Sequence, residues 1–111
     1  MNISEIPHRW LVVKLTNEET FYKLFGSWMG GYLDGDRWKM NSGIVKVEED
    51  DEHYYFYGHS GSVYKCHKKG YGSTSYTQSV LDGIISHGKE KKNTIVEILP
   101  EDTNWMKLLD L

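Results

Sequence analysis

Only one long stretch of this sequence spaces its apolar residues as a helix does. The stretch YTQSVLDGIISHG, residues 76–88, aligns five of them on one face: Tyr76, Val80, Leu81, Ile84 and Ile85. Ser73, Thr74 or Ser75 is available as the N-cap, and Gly88 is predicted to end the helix. Every other apolar run is short, so most of the core must come from strands.

The shorter runs have the patterns of β-strands. We expect strands at 9–16, 20–28, 44–49 and 94–99, with the first in the interior of a sheet because it is apolar on both faces. Val45 and Val47 are expected to point inward. The segments HYYFYGH and SVYKCHK form a predicted hairpin across residues 58–61.

Two segments are less regular. The glycine-rich residues 29–43 are interpreted as a structured loop with a short hairpin around Asp34-Gly35. Asp102 or Thr103 is a candidate cap for a short C-terminal helix with an apolar stripe formed by Trp105, Leu108 and Leu109.

These patterns together predict an α+β fold. We expect one domain, residues 1–111, with a mostly antiparallel sheet of about five or six short strands. The amphipathic helix is expected to pack on one face of that sheet, and a short helix is expected to end the chain.

Composition narrows the class of partner. The net charge of −3 provides no general attraction to nucleic acid, and no apolar run approaches the length of a membrane span. The single cysteine, Cys66, cannot form an intrachain disulfide, and no signal peptide is visible. We therefore predict a cytoplasmic protein that does not act at a membrane, and we do not expect it to bind nucleic acid.

Candidate catalytic and metal-binding groups are few. Cys66 and His67 are adjacent, so on a strand they point to opposite faces and cannot easily share a zinc ion. Alternation places Cys66 in the core with Tyr64, as an inert thiol. The sequence around Ser60 lacks the strand, turn and helix of a nucleophile elbow. No metal and no cofactor is predicted.

A recognition surface is the better-supported interpretation. Residues 27–43 and 58–76 are rich in aromatic, glycine and small polar residues, which build adaptable binding surfaces. The predicted binding residues are Trp28, Tyr32, Arg37, Trp38, Asn41, Ser42, His59, Ser60, Ser62, Lys65, His67 and Tyr71.

The segments FGSWMGGYLDGDRWKMNSGIVKVEE and YYFYGHSGSVYKCHKKGYG carry a resemblance to a known group. Over roughly residues 9–80 the chain resembles small uncharacterised accessory proteins of bacteriophages and prophages. The resemblance implies expression in a bacterial host, and such proteins commonly act as stoichiometric binders. It transfers no functional residue.

The leading hypothesis is a non-catalytic phage-type protein that inhibits a host protein or defence complex by binding it. One alternative is a sponge that sequesters a nucleotide-like signalling molecule. Another is a small hydrolase or nuclease that uses His59 and His67 with Asp34 or Asp36. A nucleic-acid binder would need Lys65, Lys68, Lys69 and the run 89–92 on one face. Self-association into a homodimer or higher homo-oligomer is a further hypothesis, because a symmetric partner would cover an exposed strand edge or aromatic patch.

Overall fold

The computed structural model describes residues 2–30, 35–91 and 93–110, with only the backbone described at Lys89 and Lys91. Seven strands occur in these residues: β1 Arg9–Thr16, β2 Thr20–Trp28, β3 Arg37–Met40, β4 Ile44–Glu49, β5 His53–Gly58, β6 Val63–His67 and β7 Ile95–Ile98. The helix α1 spans Ser75–Lys91, and a 3₁₀ helix spans Trp105–Lys107. The predicted α+β class with antiparallel strand pairing is confirmed.

The strands are divided between two sheets where the sequence suggested one. The first sheet has the order β3-β2-β1-β7 and the second has the order β4-β5-β6. The chain passes from one to the other at residues 41–43, where Gly43 has a φ of 132°, a conformation that side chains with a Cβ rarely adopt. This turn ends β3 and starts β4 in a different sheet.

The strand β1 is interior, as its sequence predicts, because β2 and β7 pair with it on either side. Its alternate residues serve two cores. Trp10 and Val12 belong to a cluster shared with the second sheet, and Leu11 and Val13 belong to a cluster under α1. Burial on both faces explains why β1 is an uninterrupted apolar run.

Trp10 is the centre of the cluster between the sheets. Its ring lies 4.8 Å from that of Tyr71 and 5.3 Å from those of Phe56 and Trp105, measured between centroids. Its indole Nε1 donates a hydrogen bond of 2.7 Å to the carbonyl oxygen of His67. Tilted and edge-on ring contacts are the favoured aromatic geometries, and this cluster joins β1, β5 and the C-terminal 3₁₀ helix.

The helix α1 covers the opposite face of the first sheet. Leu81 is fully buried there, while Tyr76 is exposed although the helical spacing included it in the apolar face. Thr74 is the N-cap, since its hydroxyl oxygen accepts a hydrogen bond from the N–H of Thr77 at 3.2 Å. This resolves the choice that the sequence left between three residues.

Gly88 does not end the helix, which continues to Lys91. A Cβ at Gly88 would lie 3.2 Å from the Thr94 carbonyl oxygen and 3.2 Å from a methyl group of Val96. The glycine is therefore explained by close packing of α1 on β7.

Two other local predictions were wrong. A β-bulge between Ile44 and Lys46 buries Ile44 and leaves Val45 54% exposed, so Val45 does not point inward. Neither Asp102 nor Thr103 caps the C-terminal helix, because Asn104 is the N-cap residue and makes no side-chain cap bond. Of the predicted stripe, Trp105 is buried and Leu108 packs on the core, but Leu109 is partly exposed.

The segment interpreted as a loop contains β3, which pairs antiparallel with β2. The Asp34-Gly35 hairpin prediction falls partly on residues 31–34, which lie outside the described part of the chain. Within the described residues, no helix is both long enough and apolar enough to cross a membrane.

We expect Trp10→Ala to lower the free energy of unfolding by about 3–5 kcal/mol, because the cavity would lie between the two sheets. Trp38→Ala is the matched control, since Trp38 is 39% exposed and its ring stacks on Phe25 within the first sheet. Urea denaturation followed by circular dichroism measures both. Equal losses in the two variants would contradict the central position of Trp10.

The phenol of Tyr71 provides a pH test of the same cluster. Burial raises the pKa of Tyr71 to about 12, against about 10 in an unfolded chain. The folded state therefore holds a proton that the unfolded state releases, so this contribution is present below about pH 10 and is lost as pH rises toward 12.

We expect the free energy of unfolding to fall more steeply between about pH 9 and about pH 11 in the unmodified protein than in Tyr71→Phe. Denaturant titrations at the two pH values measure the difference. Parallel losses in both proteins would mean that Tyr71 is not buried as described.

Candidate functional site

Two loops that are distant in sequence meet beside the second sheet. Residues 41–43 join β3 to β4, and residues 58–62 join β5 to β6. The N–H of His59 donates to the carbonyl oxygen of Gly43 at 2.8 Å, and the N–H of Ser60 donates to Ser42 Oγ at 2.9 Å. Ser42 Oγ in turn donates to Ser60 Oγ at 3.1 Å. These bonds hold the two loops as one surface.

Asn41 anchors this surface to the first sheet. Its side chain is 96% buried, and its Oδ1 accepts hydrogen bonds from the N–H of Leu24 at 2.8 Å and of Gly43 at 3.3 Å. Two backbone donors need a carbonyl acceptor, so they fix which way the amide faces. Its Nδ2 is buried and has no hydrogen-bond partner among the described residues.

A polar cavity of about 330 Å³ lies on one side of the two loops. We call it the serine pocket, and it is lined by Ser4, Glu5, Lys39, Met40, Asn41, Ser42, Ser60, Ser62 and Tyr64. Lys39 Nζ lies 2.8 Å from Glu5 Oε1, and this hydrogen-bonded contact raises the pKa of Lys39. The cation and the carboxylate cancel, so the pocket has no net charge from its described side chains.

A larger cavity of about 610 Å³ lies on the other side of Ser42. We call it the apolar groove, and it is lined by Lys14, Thr20, Phe21, Tyr22, Ser42, Gly43, Ile44, Val45, His59 and Leu109. Three of its large apolar side chains are exposed, Phe21 by 53%, Val45 by 54% and Leu109 by 38%. Lys14 and His59 are its basic residues, and no carboxylate of the described residues lines it.

The structure brings together five of the predicted binding residues. Asn41, Ser42, Ser60 and Ser62 all line the serine pocket, and His59 lines the apolar groove. Lys39, Phe21 and Leu109 line these cavities but were not among the predicted binding residues. Lys39 lies within the segment 27–43 that composition indicated, whereas no local pattern identifies Phe21 or Leu109. Val45 was misplaced because alternation alone does not reveal the β-bulge.

The other predicted residues lie elsewhere. The Arg37 guanidinium is 4.8 Å from the centroid of the buried Trp28 ring, and Trp38 stacks on Phe25 at 5.3 Å. Tyr71 is partly buried against the cluster around Trp10, and its hydroxyl donates to the carbonyl of Leu99. Tyr32 falls outside the described residues.

Lys65 and His67 lie on the outer face of the second sheet. Lys65 shares a shallow cavity with the acidic turn 50–52, and the ring of His67 is 5.2 Å from that of His53. Lys68 pairs with Glu49 at 2.7 Å. Nucleic-acid binding would need a continuous basic face. Among the described side chains, these carboxylates interrupt such a face.

The hydrolase alternative needs histidines that converge. His59 precedes β6 and His67 is its last residue, so β6 holds the two histidines apart. Burial raises the pKa of the Cys66 thiol well above its usual value, and the thiol is inaccessible. Across residues 2–30, 35–91 and 93–110, no group of three or more histidine, cysteine, aspartate or glutamate side chains is placed to hold a metal ion.

We expect the Cys66 thiol to resist alkylation in the folded protein, because the thiolate is the reactive form and burial disfavours it. Iodoacetamide at about pH 8, followed by intact-mass measurement, checks this. Rapid modification without denaturant would contradict the buried position, and fast modification in denaturant is the control.

Comparisons with protein-family models, curated proteins and solved structures found no match to this chain. The geometry of the two loops is therefore the basis for a functional assignment.

Proposed function

We propose that this protein is a non-catalytic, phage-type accessory protein that inhibits a bacterial host protein by stoichiometric binding in the cytoplasm. The observation that carries the proposal is the apolar groove, in which Phe21, Val45 and Leu109 are all exposed on one concave surface. Contiguous exposed apolar surface in a protein of this size is typical of a partner-binding site.

The groove has the anatomy of a protein interface. An aromatic and two aliphatic side chains offer apolar contact area, while Thr20, Ser42 and His59 provide polar groups at its edge. Interfaces gain most of their free energy from a few anchors that lose water on binding, surrounded by polar contacts. An apolar side chain of the partner seated between Phe21 and Val45 would make such an anchor.

The charges of the groove indicate the chemistry of the partner. Lys14 is its cation, and none of the described carboxylates lines it. A partner segment with an apolar residue beside aspartate or glutamate therefore complements the groove better than a basic segment does. The competing hypothesis is that a second copy of this chain occupies the groove, and the experiment must distinguish this copy from a host protein.

The test is a capture experiment with matched variants. We expect tagged protein to retain a host protein that, once purified, binds at one to one, and Val45→Glu to weaken binding by about 2 kcal/mol or more, roughly thirtyfold. Ile95→Glu is the control, because Ile95 is 57% exposed on β7 and does not line the groove.

Unchanged thermal unfolding of both variants shows that the fold is intact. Equal binding by the Val45 and Ile95 variants, or failure to capture any saturable partner, would contradict the proposal. A dimer of this chain that Val45→Glu dissociates would assign the groove to self-association instead.

A further inference from the structure

The serine pocket holds a buried hydrogen-bond donor that the protein leaves unused. Asn41 Nδ2 has two N–H groups and no acceptor in the described residues, while Oδ1 is occupied by two backbone donors. The amide cannot turn over without leaving those two donors unpaired. A buried donor without a partner costs about 1–3 kcal/mol, so a group held in this state needs a reason.

Three polar atoms converge beside Gly58. The position that a Cβ would occupy at Gly58 is 2.7 Å from Ser62 Oγ, 3.1 Å from Ser42 Oγ and 3.5 Å from Asn41 Nδ2. Glycine therefore leaves the space in which these groups face one another. All three residues line the serine pocket, and the unpaired Nδ2 atom of Asn41 is itself fully buried behind that lining.

The serine hydroxyls near the Asn41 amide differ in whether a hydrogen bond already holds them. Ser42 is held by its bonds with Ser60, and Ser4 Oγ accepts from the N–H of Val63 at 3.0 Å. Ser62 Oγ makes no hydrogen bond with another described residue. Its hydroxyl can therefore rotate without breaking a hydrogen bond and supply a second donor near the Asn41 amide.

The pocket also has acceptors. Glu5 Oε1 bonds Lys39, which leaves Oε2 available, and Ser60 Oγ has lone pairs in addition to its contact with Ser42. The Asn41 and Ser62 donors and the Glu5 carboxylate oxygen together complement a group that carries a C=O beside an N–H. An oxyanion fits less well, because Glu5 lies in the same pocket and already neutralises Lys39.

We propose that the serine pocket binds a small neutral ligand through an amide edge, a C=O group next to an N–H group. The ligand carbonyl accepts from Asn41 Nδ2 and Ser62 Oγ, and its N–H donates to Glu5 Oε2. The cavity of about 330 Å³ is of the size that holds a small ligand. This site shares Ser42 with the apolar groove, but none of the three groups proposed to contact the ligand lines the groove, so the proposal does not depend on protein docking there.

The same edge occurs in uracil-type bases and in aliphatic amides, and the experiment separates these sources. Isotope-labelled protein is titrated with uridine, with propionamide and with inorganic phosphate, while two-dimensional NMR follows the side-chain NH₂ of Asn41. We expect saturable shifts of that NH₂ with at least one of the two neutral probes and none with phosphate. Uridine alone identifies a base, and binding of both identifies a general amide site.

Variants assign the contact. Asn41→Asp keeps an oxygen for Leu24 and Gly43 but removes both N–H donors, so we expect about tenfold weaker binding of the neutral probe. Ser62→Ala should weaken binding severalfold, and Ser79→Ala on the exposed face of α1 is the control. Val45→Glu should bind the probe as the unmodified protein does.

Three results would overturn the inference. Phosphate binding without neutral-probe binding would show an oxyanion site, and equal affinity in Asn41→Asp would remove the amide from the contact. The absence of a saturable shift with either neutral probe would mean that the pocket does not bind an amide edge and that Asn41 Nδ2 bonds only a structural water.

Discussion

The contact of Trp10 with the rings around it is the interaction on which the rest of the structure depends. Trp10 belongs to β1 in the first sheet, and its ring packs on Phe56 of the second sheet and on Trp105 near the C-terminus. The two sheets share no strand, so side-chain packing fixes their relative position together with the backbone bridges that pair Glu5 with Tyr64 of β6 and Trp10 with Tyr71. The cluster around Trp10 supplies that packing and places β5 where its turn can meet the residues before β4.

Asn41 converts this arrangement into a surface. Its side-chain oxygen Oδ1 accepts hydrogen bonds from the N–H of Leu24 in β2 and of Gly43, so the chain leaves the first sheet at a fixed point. The turn 58–62 then bonds Gly43 and Ser42. The result is one ridge with a polar cavity on one side and an apolar groove on the other. A binding protein needs such pre-formed surfaces, since ordering them on binding would cost affinity.

The structural features that the sequence predicted are those that depend on residues close together along the chain. The strands β1 and β2 and the helix α1 follow from local periodicity, and loop composition predicted Asn41, Ser42, Ser60 and Ser62 as binding residues, which the fold places in one cavity. The bulge that exposes Val45 and the packing that requires Gly88 depend on contacts with other elements. For the same reason, Phe21 and Leu109 could not be identified as groove residues, because they lie 88 positions apart and only the fold brings them together.

The central claim is that a host protein docks on the apolar groove. Hydrogen exchange of the protein alone and in complex with the purified host protein tests it most directly, because backbone amides report which surface loses exchange. The account predicts slower exchange at residues 20–22, 42–45 and 59, with α1 unchanged. Protection confined to α1, or to the outer face of the second sheet, would contradict it.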